Sequence, residues 1–327
     1  MAYANQLKNL LAKVREDPLA ADMHWSLFMS ALQSYRHDTV LRPFPPKFQE
    51  ENSDEKDYKA LTKLANQVPN IEALAAESQV DDDTLQLLSW AVLERNFHLK
   101  TCDKTMYQTI QTKAGQIVPV PAPNYIFEVE YNQMCNEKFE KICQGRDLIY
   151  AYHGSRVENF HSILNLGLHS HMNKTSLFGE GTYLSSELSV SIVYSPAGQL
   201  WESSMLGSGA SIIALCEIID DPTVKCQVKG DKEESGKARR RVKGSMGGDV
   251  PEKYYVVQNN EMLRVKYLLV YVNKQFTRTA TRNSRISQPS WLAEHKFLMM
   301  VLCYALLLVA IGLANSKSLQ QYMRRLR

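Results

Sequence analysis

Residues 151–168, AYHGSRVENFHSILNLGL, place a histidine and a glycine where an apolar segment gives way to a helical one. The run LIYAY, which ends at Tyr152, predicts a short buried strand. A helix-like segment follows and ends at Gly167, a residue type typical of helix C-termini. On these residues alone, His153 has four open roles: metal ligand, proton acceptor, ligand contact or packing.

The pattern on either side of this stretch predicts two parts. Up to about residue 95, apolar side chains recur at helical spacing, and DDDT at residues 81–84 is typical of a helix start. After residue 119, only two helices, near residues 159–165 and 186–194, interrupt a series of strand-like segments. These segments are YIFEVEYN, LIYAY, GTYLS, ASIIALCEII, TVKCQV, YYVVQN and RVKYLLVYV. A doubly wound parallel sheet needs more crossover helices than that. We therefore expect an α+β chain: an N-terminal helical domain, a mixed, largely antiparallel sheet, and one C-terminal transmembrane helix.

The predicted transmembrane helix rests on residues 297–314, FLMMVLCYALLLVAIGLA, a run of 18 residues without a charge. As a helix this run spans ~27 Å, about the hydrocarbon thickness of the endoplasmic reticulum membrane. A buried core helix is the alternative, but the run is apolar on every face and follows a polar spacer. Because the N-terminus has no signal-peptide pattern, we expect a tail anchor with the bulk of the chain in the cytosol.

Composition narrows the class of protein. The chain is 44% hydrophobic and 22% charged, which indicates a folded globular protein rather than a disordered one. A net charge of +3 gives no argument for nucleic-acid binding, so we expect no direct nucleic-acid partner. The 6 cysteines include no C-x-x-C pair, and we expect reduced thiols.

A histidine cluster raises the question of a metal site. His153, His161, His169 and His171 lie within 19 residues, but no H-E-x-x-H or cysteine pair accompanies them, so we expect no metal. GEG at residues 179–181 precedes a strand, unlike the dinucleotide fingerprint that opens a helix. A G-x-S-x-G nucleophile motif and a phosphate-binding lysine loop are both absent from the sequence.

Three segments then occur in a fixed order: YHGS at residues 152–155, FGEGTYLSSELSVSIVYS at 178–195 and KYYVVQNNEMLRVKYLLVY at 253–271. This order resembles the catalytic domain of the poly(ADP-ribose) polymerase family, the diphtheria-toxin-like ADP-ribosyltransferases. That family carries a His-Tyr-Glu-type triad, with a hydroxyl residue eight positions after the tyrosine and a second tyrosine eleven after it. Ser191 and Tyr194 stand at those distances from Tyr183. The match covers roughly residues 119–275.

The resemblance implies a site for NAD, used as a co-substrate. It implies that His153 hydrogen-bonds the adenosine ribose, and that the Gly154 backbone and the Ser191 hydroxyl hold the nicotinamide carboxamide. Tyr183 and Tyr194 would enclose the nicotinamide ring, which is cationic in NAD and attracted to aromatic faces.

Further contacts follow from the same resemblance. Ser155 and Arg156 would reach the ribose and pyrophosphate, and His169 falls where some relatives have a basic residue. Tyr254 takes the third triad position, where family polymerases have a glutamate; a one-residue shift would put Tyr255 there. A tyrosine phenol is a poor base at neutral pH, so we expect no chain growth. The predicted catalytic residues are thus His153, Tyr183 and Tyr254.

The resemblance therefore implies a protein mono-ADP-ribosyltransferase that modifies Asp, Glu or Lys side chains, including its own, at the cytosolic face of the endoplasmic reticulum. A catalytically silent protein that binds NAD or ADP-ribose is the alternative, and a metal-dependent hydrolase is a third reading. The expected organisation is a helical domain at 1–97, the transferase domain at 98–275, a linker at 276–290, the tail anchor at 291–314 and a short lumenal tail at 315–327.

Overall fold

An antiparallel β-sheet lies at the centre of the described chain. The structure is a computed structural model that describes residues 2–50, 55–76, 80–169, 177–227, 239–243 and 245–272. The strands are β1 (Phe97–Cys102), β2 (Tyr125–Tyr131), β3 (Leu148–Gly154), β4 (Thr182–Ser185), β5 (Gly198–Gln199), β6 (Gly209–Ile219), β7 (Tyr254–Val257) and β8 (Leu263–Val272). They are ordered β1-β2-β8-β6-β3-β4-β7, with β5 paired to β6.

All strand pairings in the described ranges are antiparallel. The prediction of a largely antiparallel sheet is confirmed, but the prediction that it is mixed was wrong. Even the neighbouring strands that are connected through helices, β1 with β2 and β3 with β4, pair antiparallel. The long apolar run of β6 is explained by its central place, since Ile212 and Cys216 face one core while Ile213 and Leu215 face another.

The N-terminal part consists of helices, as predicted. They are α1 (Ala2–Glu16), α2 (Pro18–Leu32), α3 (His37–Val40), α4 (Tyr58–Ala65), α5 (Ile71–Ala76) and α6 (Asp82–Val92). Helix α6 begins as the DDDT signal indicates, because the Asp81 side chain accepts a hydrogen bond from the Thr84 N–H at 2.9 Å.

Helix α2 joins the helical part to the sheet. Met23 and Leu27 pack in the core beside the sheet, whereas Trp25 and Phe28 pack in the core of the helical part. The Asp22 carboxylate accepts a hydrogen bond from the Met205 N–H at 2.9 Å. The described residues, which end at 272, accordingly belong to one compact unit.

Helices between the strands include two that the sequence patterns did not predict. The α-helices that the structure describes there are α7 (Met106–Ala114), α8 (Gln133–Cys143), α9 (Phe160–Leu166) and α10 (Leu188–Ser191), and a 3-10 turn, Ile192–Tyr194, continues α10. Helices α7 and α8 were not predicted; α8 buries one described side chain, Phe139, so its apolar stripe is too thin to detect. The predicted strand TVKCQV was wrong, because Lys225 makes an isolated bridge to Val256 and no ladder.

Within the ranges that the structure describes, no helix has the length and apolar character needed to cross a membrane. The predicted linker, tail anchor and lumenal tail, residues 276–327, lie outside the described residues.

Candidate functional site

A cavity of about 520 Å³ opens where the end of β3 meets β4, α10 and β7. Its size falls within the range of small-molecule sites. Six of the eight predicted NAD-binding residues line it: His153, Gly154, Tyr183, Ser191, Tyr194 and Tyr254. The other described lining residues are Leu177, Phe178, Leu184, Ser185, Val190 and Pro251. These six were missed by sequence reasoning; most stand within a few positions of a motif residue, and that proximity was the available signal.

His153 ends β3 with its ring buried and fixed in one orientation. Its Nδ1 lies 3.0 Å from the carbonyl oxygen of Tyr183, which can only accept, so Nδ1 carries the proton. Burial lowers the pKa of His153 below its usual value, against the opposing effect of this hydrogen bond. The ring is therefore neutral at pH 7, and Nε2 is left as a hydrogen-bond acceptor.

Gly154 is required by the protein itself. A Cβ built on this residue would lie 2.0 Å from the carbonyl oxygen of Ser191 and 3.0 Å from Oγ of Ser195. The Ser191 hydroxyl donates to the Tyr152 carbonyl at 2.9 Å, and the Ser155 N–H donates to Ser195 Oγ at 3.1 Å. These contacts hold α10 against the end of β3. Gly154 therefore lacks a Cβ for a reason beyond the ligand contact that the family resemblance implies, namely the close backbone of Ser191.

The Tyr183 hydroxyl forms hydrogen bonds to the backbone of the loop that precedes β4. Its hydroxyl donates to the Gly179 carbonyl at 2.6 Å and accepts from the Phe178 N–H at 3.0 Å. Gly179 has a φ of +97°, and a Cβ there would lie 2.4 Å from Val242. Burial raises the pKa of the Tyr183 phenol. Tyr183 lines the cavity, and its hydroxyl is already occupied by the protein backbone.

Tyr194 and Tyr254 lie on two other elements that border the cavity. Tyr194 ends the 3-10 turn after α10 and is 64% exposed, so its ring forms part of the rim. Tyr254 begins β7 opposite Ser185 of β4 and packs with the cluster of Val242, Val250 and Val256.

The neighbouring Tyr255 faces the other way. It packs against the main core of the sheet, and burial raises the pKa of its phenol. Alternation along the strand explains the difference, since neighbours point to opposite faces. The register places Tyr254, and not Tyr255, at the cavity.

Two predicted contact residues do not line the cavity. Ser155 Oγ accepts a hydrogen bond from the Asn159 amide at 2.9 Å. The Arg156 side chain pairs with Glu158, Nε to Oε1 at 2.6 Å, and this hydrogen bond raises the pKa of the guanidinium.

The described histidines of the cluster have separate partners. His161 is buried, its Nε2 lies 3.0 Å from the Pro43 carbonyl, and burial lowers its pKa to about 4. His169 Nδ1 lies 3.1 Å from the Asn260 amide, and His171 is outside the described residues. Among the residues that the structure describes, no three His, Cys, Asp or Glu side chains converge.

The arrangement suits a flat, polar aromatic ligand. Aromatic side chains from three elements, a neutral imidazole and a backbone without Cβ surround one space. The part of the lining that the structure describes includes no carboxylate.

Comparison with known proteins gives the same picture. A family model described as "Poly(ADP-ribose) polymerase catalytic domain" matches residues 104–273, and one described as "ARTD15 N-terminal domain" matches residues 12–92. The chain is 46% identical over 314 residues to "Protein mono-ADP-ribosyltransferase PARP16" of Mus musculus, covering 95% of each chain. It is 47% identical over 312 residues to the Homo sapiens protein of that name, covering 94% of each. A Mus musculus "Protein mono-ADP-ribosyltransferase PARP8" is 25% identical over 62% of this chain and 28% of its own length. The family match and the near full-length relatives show that the chain belongs to the poly(ADP-ribose) polymerase catalytic-domain family.

Proposed function

We propose that this chain is a protein mono-ADP-ribosyltransferase that transfers one ADP-ribose unit from NAD to a protein side chain and releases nicotinamide. The observation that carries the proposal is the meeting of His153, Tyr183 and Tyr254 at one cavity whose described lining has no carboxylate. The printed names of the two near full-length relatives support the same activity.

The donor-site roles follow from the chemistry of each group. Nε2 of His153 accepts a hydrogen bond from a hydroxyl of the adenosine ribose. The Ser191 hydroxyl already donates to a protein carbonyl, so it accepts a hydrogen bond from the carboxamide NH₂, and the Gly154 backbone completes that contact. Tyr183 and Tyr194 enclose the cationic nicotinamide ring.

Three further residues would contact the ribose and pyrophosphate parts of NAD. Tyr254 hydrogen-bonds the ribose that carries nicotinamide. Ser155 and Arg156, just beyond the cavity wall, would contact the ribose and pyrophosphate after a side-chain rearrangement, because Arg156 now pairs with Glu158.

The reaction needs little acid–base chemistry. The bond between the ribose carbon and the nicotinamide nitrogen breaks, its electron pair leaves with nicotinamide, and an oxocarbenium-like centre forms. Since nicotinamide departs as a neutral molecule, no general acid is required. Holding both ends of NAD in one orientation supplies most of the acceleration. An ionised Asp or Glu acceptor attacks without a base, whereas a Lys acceptor must first lose a proton.

Single-unit transfer follows from Tyr254. Elongation needs a group that activates a sugar hydroxyl of the previous unit, and a phenol does not do so at neutral pH. The enzyme therefore stops after one ADP-ribose.

The proposal extends to the membrane location of the chain and to its domain boundaries. The uncharged run at residues 297–314 supports a tail anchor at 291–314 in the endoplasmic reticulum membrane, with the transferase domain in the cytosol. We divide the chain into a helical domain at 1–97, the transferase domain at 98–275, a linker at 276–290 and a lumenal tail at 315–327.

Incubation of the full-length protein in detergent with NAD labelled in the adenylate part tests this activity. We expect label on the protein and equimolar nicotinamide release, both lost in His153→Ala and Tyr183→Ala. NAD binding without nicotinamide release would instead indicate a silent NAD-binding protein, and equal labelling of both variants and wild type would contradict the proposed site.

A further inference from the structure

Lys253, the residue before Tyr254, has its backbone in the left-handed region at a φ of 70°. Gln144 is the other described non-glycine residue with a positive φ, and it caps the C-terminus of α8, where this conformation is common. Lys253 ends no helix. A non-glycine residue with its backbone in this region is strained, and the conformation persists only where the surrounding structure fixes it. Such strained residues cluster at functional sites.

The backbone and the side chain of Lys253 are both held by residues at the end of β4 and just after it. Its carbonyl oxygen accepts hydrogen bonds from Ser185 Oγ and from the Ser186 N–H, each at 3.0 Å. Its Nζ donates to Oε1 of Glu187 at 2.8 Å. The left-handed turn is thus held from the backbone and from the side chain at once.

Glu187 is the buried partner of this pair. Its side chain is 4% exposed, whereas that of Lys253 is 39% exposed. Burial acts to raise the pKa of Glu187, but hydrogen bonds from Lys253 and from the N–H groups of Val118 and Ile117 outweigh it and lower the pKa. The carboxylate is therefore charged, and removing Lys253 would leave a buried charge without its counter-ion.

The pair connects three elements that border the donor cavity. The Glu187 N–H donates to Ser185 Oγ at 3.1 Å, at the end of β4. Glu187 immediately precedes α10, which carries Ser191, and Lys253 immediately precedes β7, which begins with Tyr254. Neither Glu187 nor Lys253 is among the described residues that line the cavity.

We propose that Glu187 and Lys253 are positioning residues for the transfer reaction: their ion pair holds the left-handed turn that brings the Tyr254 ring to the donor cavity. This inference rests on the proposed function, because it concerns the same site. The pair acts through Tyr254 and takes no part in bond making or breaking.

The first test compares kcat and KM for NAD in full-length wild type, Glu187→Gln and Lys253→Met. We expect kcat/KM to fall about 10-fold or more, mainly in kcat, since misplacement of a catalytic group by about 1 Å can cost ~100-fold. Lys253→Arg keeps the charge and should restore the rate to within about 3-fold of wild type. Lys100 pairs with Glu130 at 3.6 Å on the exposed surface of β1 and β2, and Lys100→Met is the matched control that should behave as wild type.

A double-mutant cycle separates positioning from a general loss of stability. If the pair acts through Tyr254, adding Lys253→Met to the Tyr254→Ala variant should lower kcat/KM for NAD by less than about 2-fold. Adding Lys253→Met to the Tyr194→Ala variant should lower kcat/KM by the same factor as in wild type. An equal loss in both backgrounds, or no loss in wild type, overturns the inference. A lower unfolding temperature with unchanged kcat/KM overturns it as well. In each of these cases the wild-type protein still transfers ADP-ribose, so the proposed function is unaffected. A wild-type protein that transfers no ADP-ribose would refute the proposed function itself.

Discussion

The carbonyl oxygen of Tyr183 lies 3.0 Å from Nδ1 of His153, so the backbone of one predicted catalytic residue orients the side chain of another. This contact fixes the tautomer of His153 and leaves Nε2 as an acceptor. It also joins β3 to β4 at the point where both border the cavity.

Replacing His153 should damage donor binding at the ribose. We expect His153→Ala to lower kcat/KM for NAD about 100-fold, because both the acceptor and the alignment of the donor are lost. Steady-state kinetics on the full-length protein measure this change. His161→Gln is a suitable control, since His161 is buried away from the cavity and bonds the Pro43 carbonyl. A His153→Ala protein with wild-type kinetics would exclude the ribose contact.

Stability should fall as the pH decreases through the ordinary range of histidine. Burial lowers the pKa of His24 to about 3 and that of His161 to about 4, so the unfolded chain binds more protons below about pH 6.5. The free energy of unfolding rises with pH wherever the unfolded state binds more protons. Each of the two histidines should therefore lower the free energy of unfolding by about 1 kcal/mol as the pH falls from 7 to 5.5.

Denaturant unfolding at several pH values measures this slope. His161→Gln retains a donor for the Pro43 carbonyl but does not titrate, so the slope should become shallower in this variant. An unchanged slope would mean that His161 is not neutral and buried in the folded state.

Gly154→Ala should disrupt the site because the added Cβ would clash sterically with the backbone of Ser191. The added Cβ would lie 2.0 Å from the Ser191 carbonyl oxygen, so α10 must move, and we expect a loss of about 1–3 kcal/mol of stability together with most activity. Gly115→Ala is the control: Gly115 has a φ of +65° and no atom within 4 Å of the added Cβ, so its cost is backbone strain alone. Full activity in Gly154→Ala would show that α10 adjusts without cost to the site.

Tyr194 should act through its ring rather than its hydroxyl. It is 64% exposed at the rim, where the cationic nicotinamide would complete its contacts. We expect Tyr194→Phe to keep KM for NAD within about 2-fold, and Tyr194→Ala to raise it about 3- to 5-fold, since a cation–π contact at an exposed site is worth ~0.5–1 kcal/mol. The reverse order of the two variants would assign the contact to the phenol hydroxyl.

The strong apolar runs made most of the fold predictable. LIYAY, ASIIALCEII and RVKYLLVYV are long enough and apolar enough to become β3, β6 and β8, and DDDT marked the start of α6. Helix α8 could not be found this way, because Phe139 is its one buried side chain among the described residues. The family prediction is confirmed by the match over residues 104–273.

The candidate site was predictable only where motifs mark it. Tyr183, Ser191 and Tyr194 follow a fixed spacing that the sequence displays directly. The link between Glu187 and Lys253 joins residues 66 positions apart, and it depends on the pairing of β4 with β7. The choice between Tyr254 and Tyr255 likewise required the strand register, because adjacent residues face opposite sides.

The product of the reaction tests the central claim most directly. Mass spectrometry of the full-length protein after incubation with NAD should reveal single ADP-ribose units on Asp, Glu or Lys side chains, absent from the His153→Ala protein. The fragments identify both the acceptor residues and the length of each product. Chains of two or more units on the wild-type protein would contradict the role assigned to Tyr254, and no modification at all would contradict the proposed transferase activity.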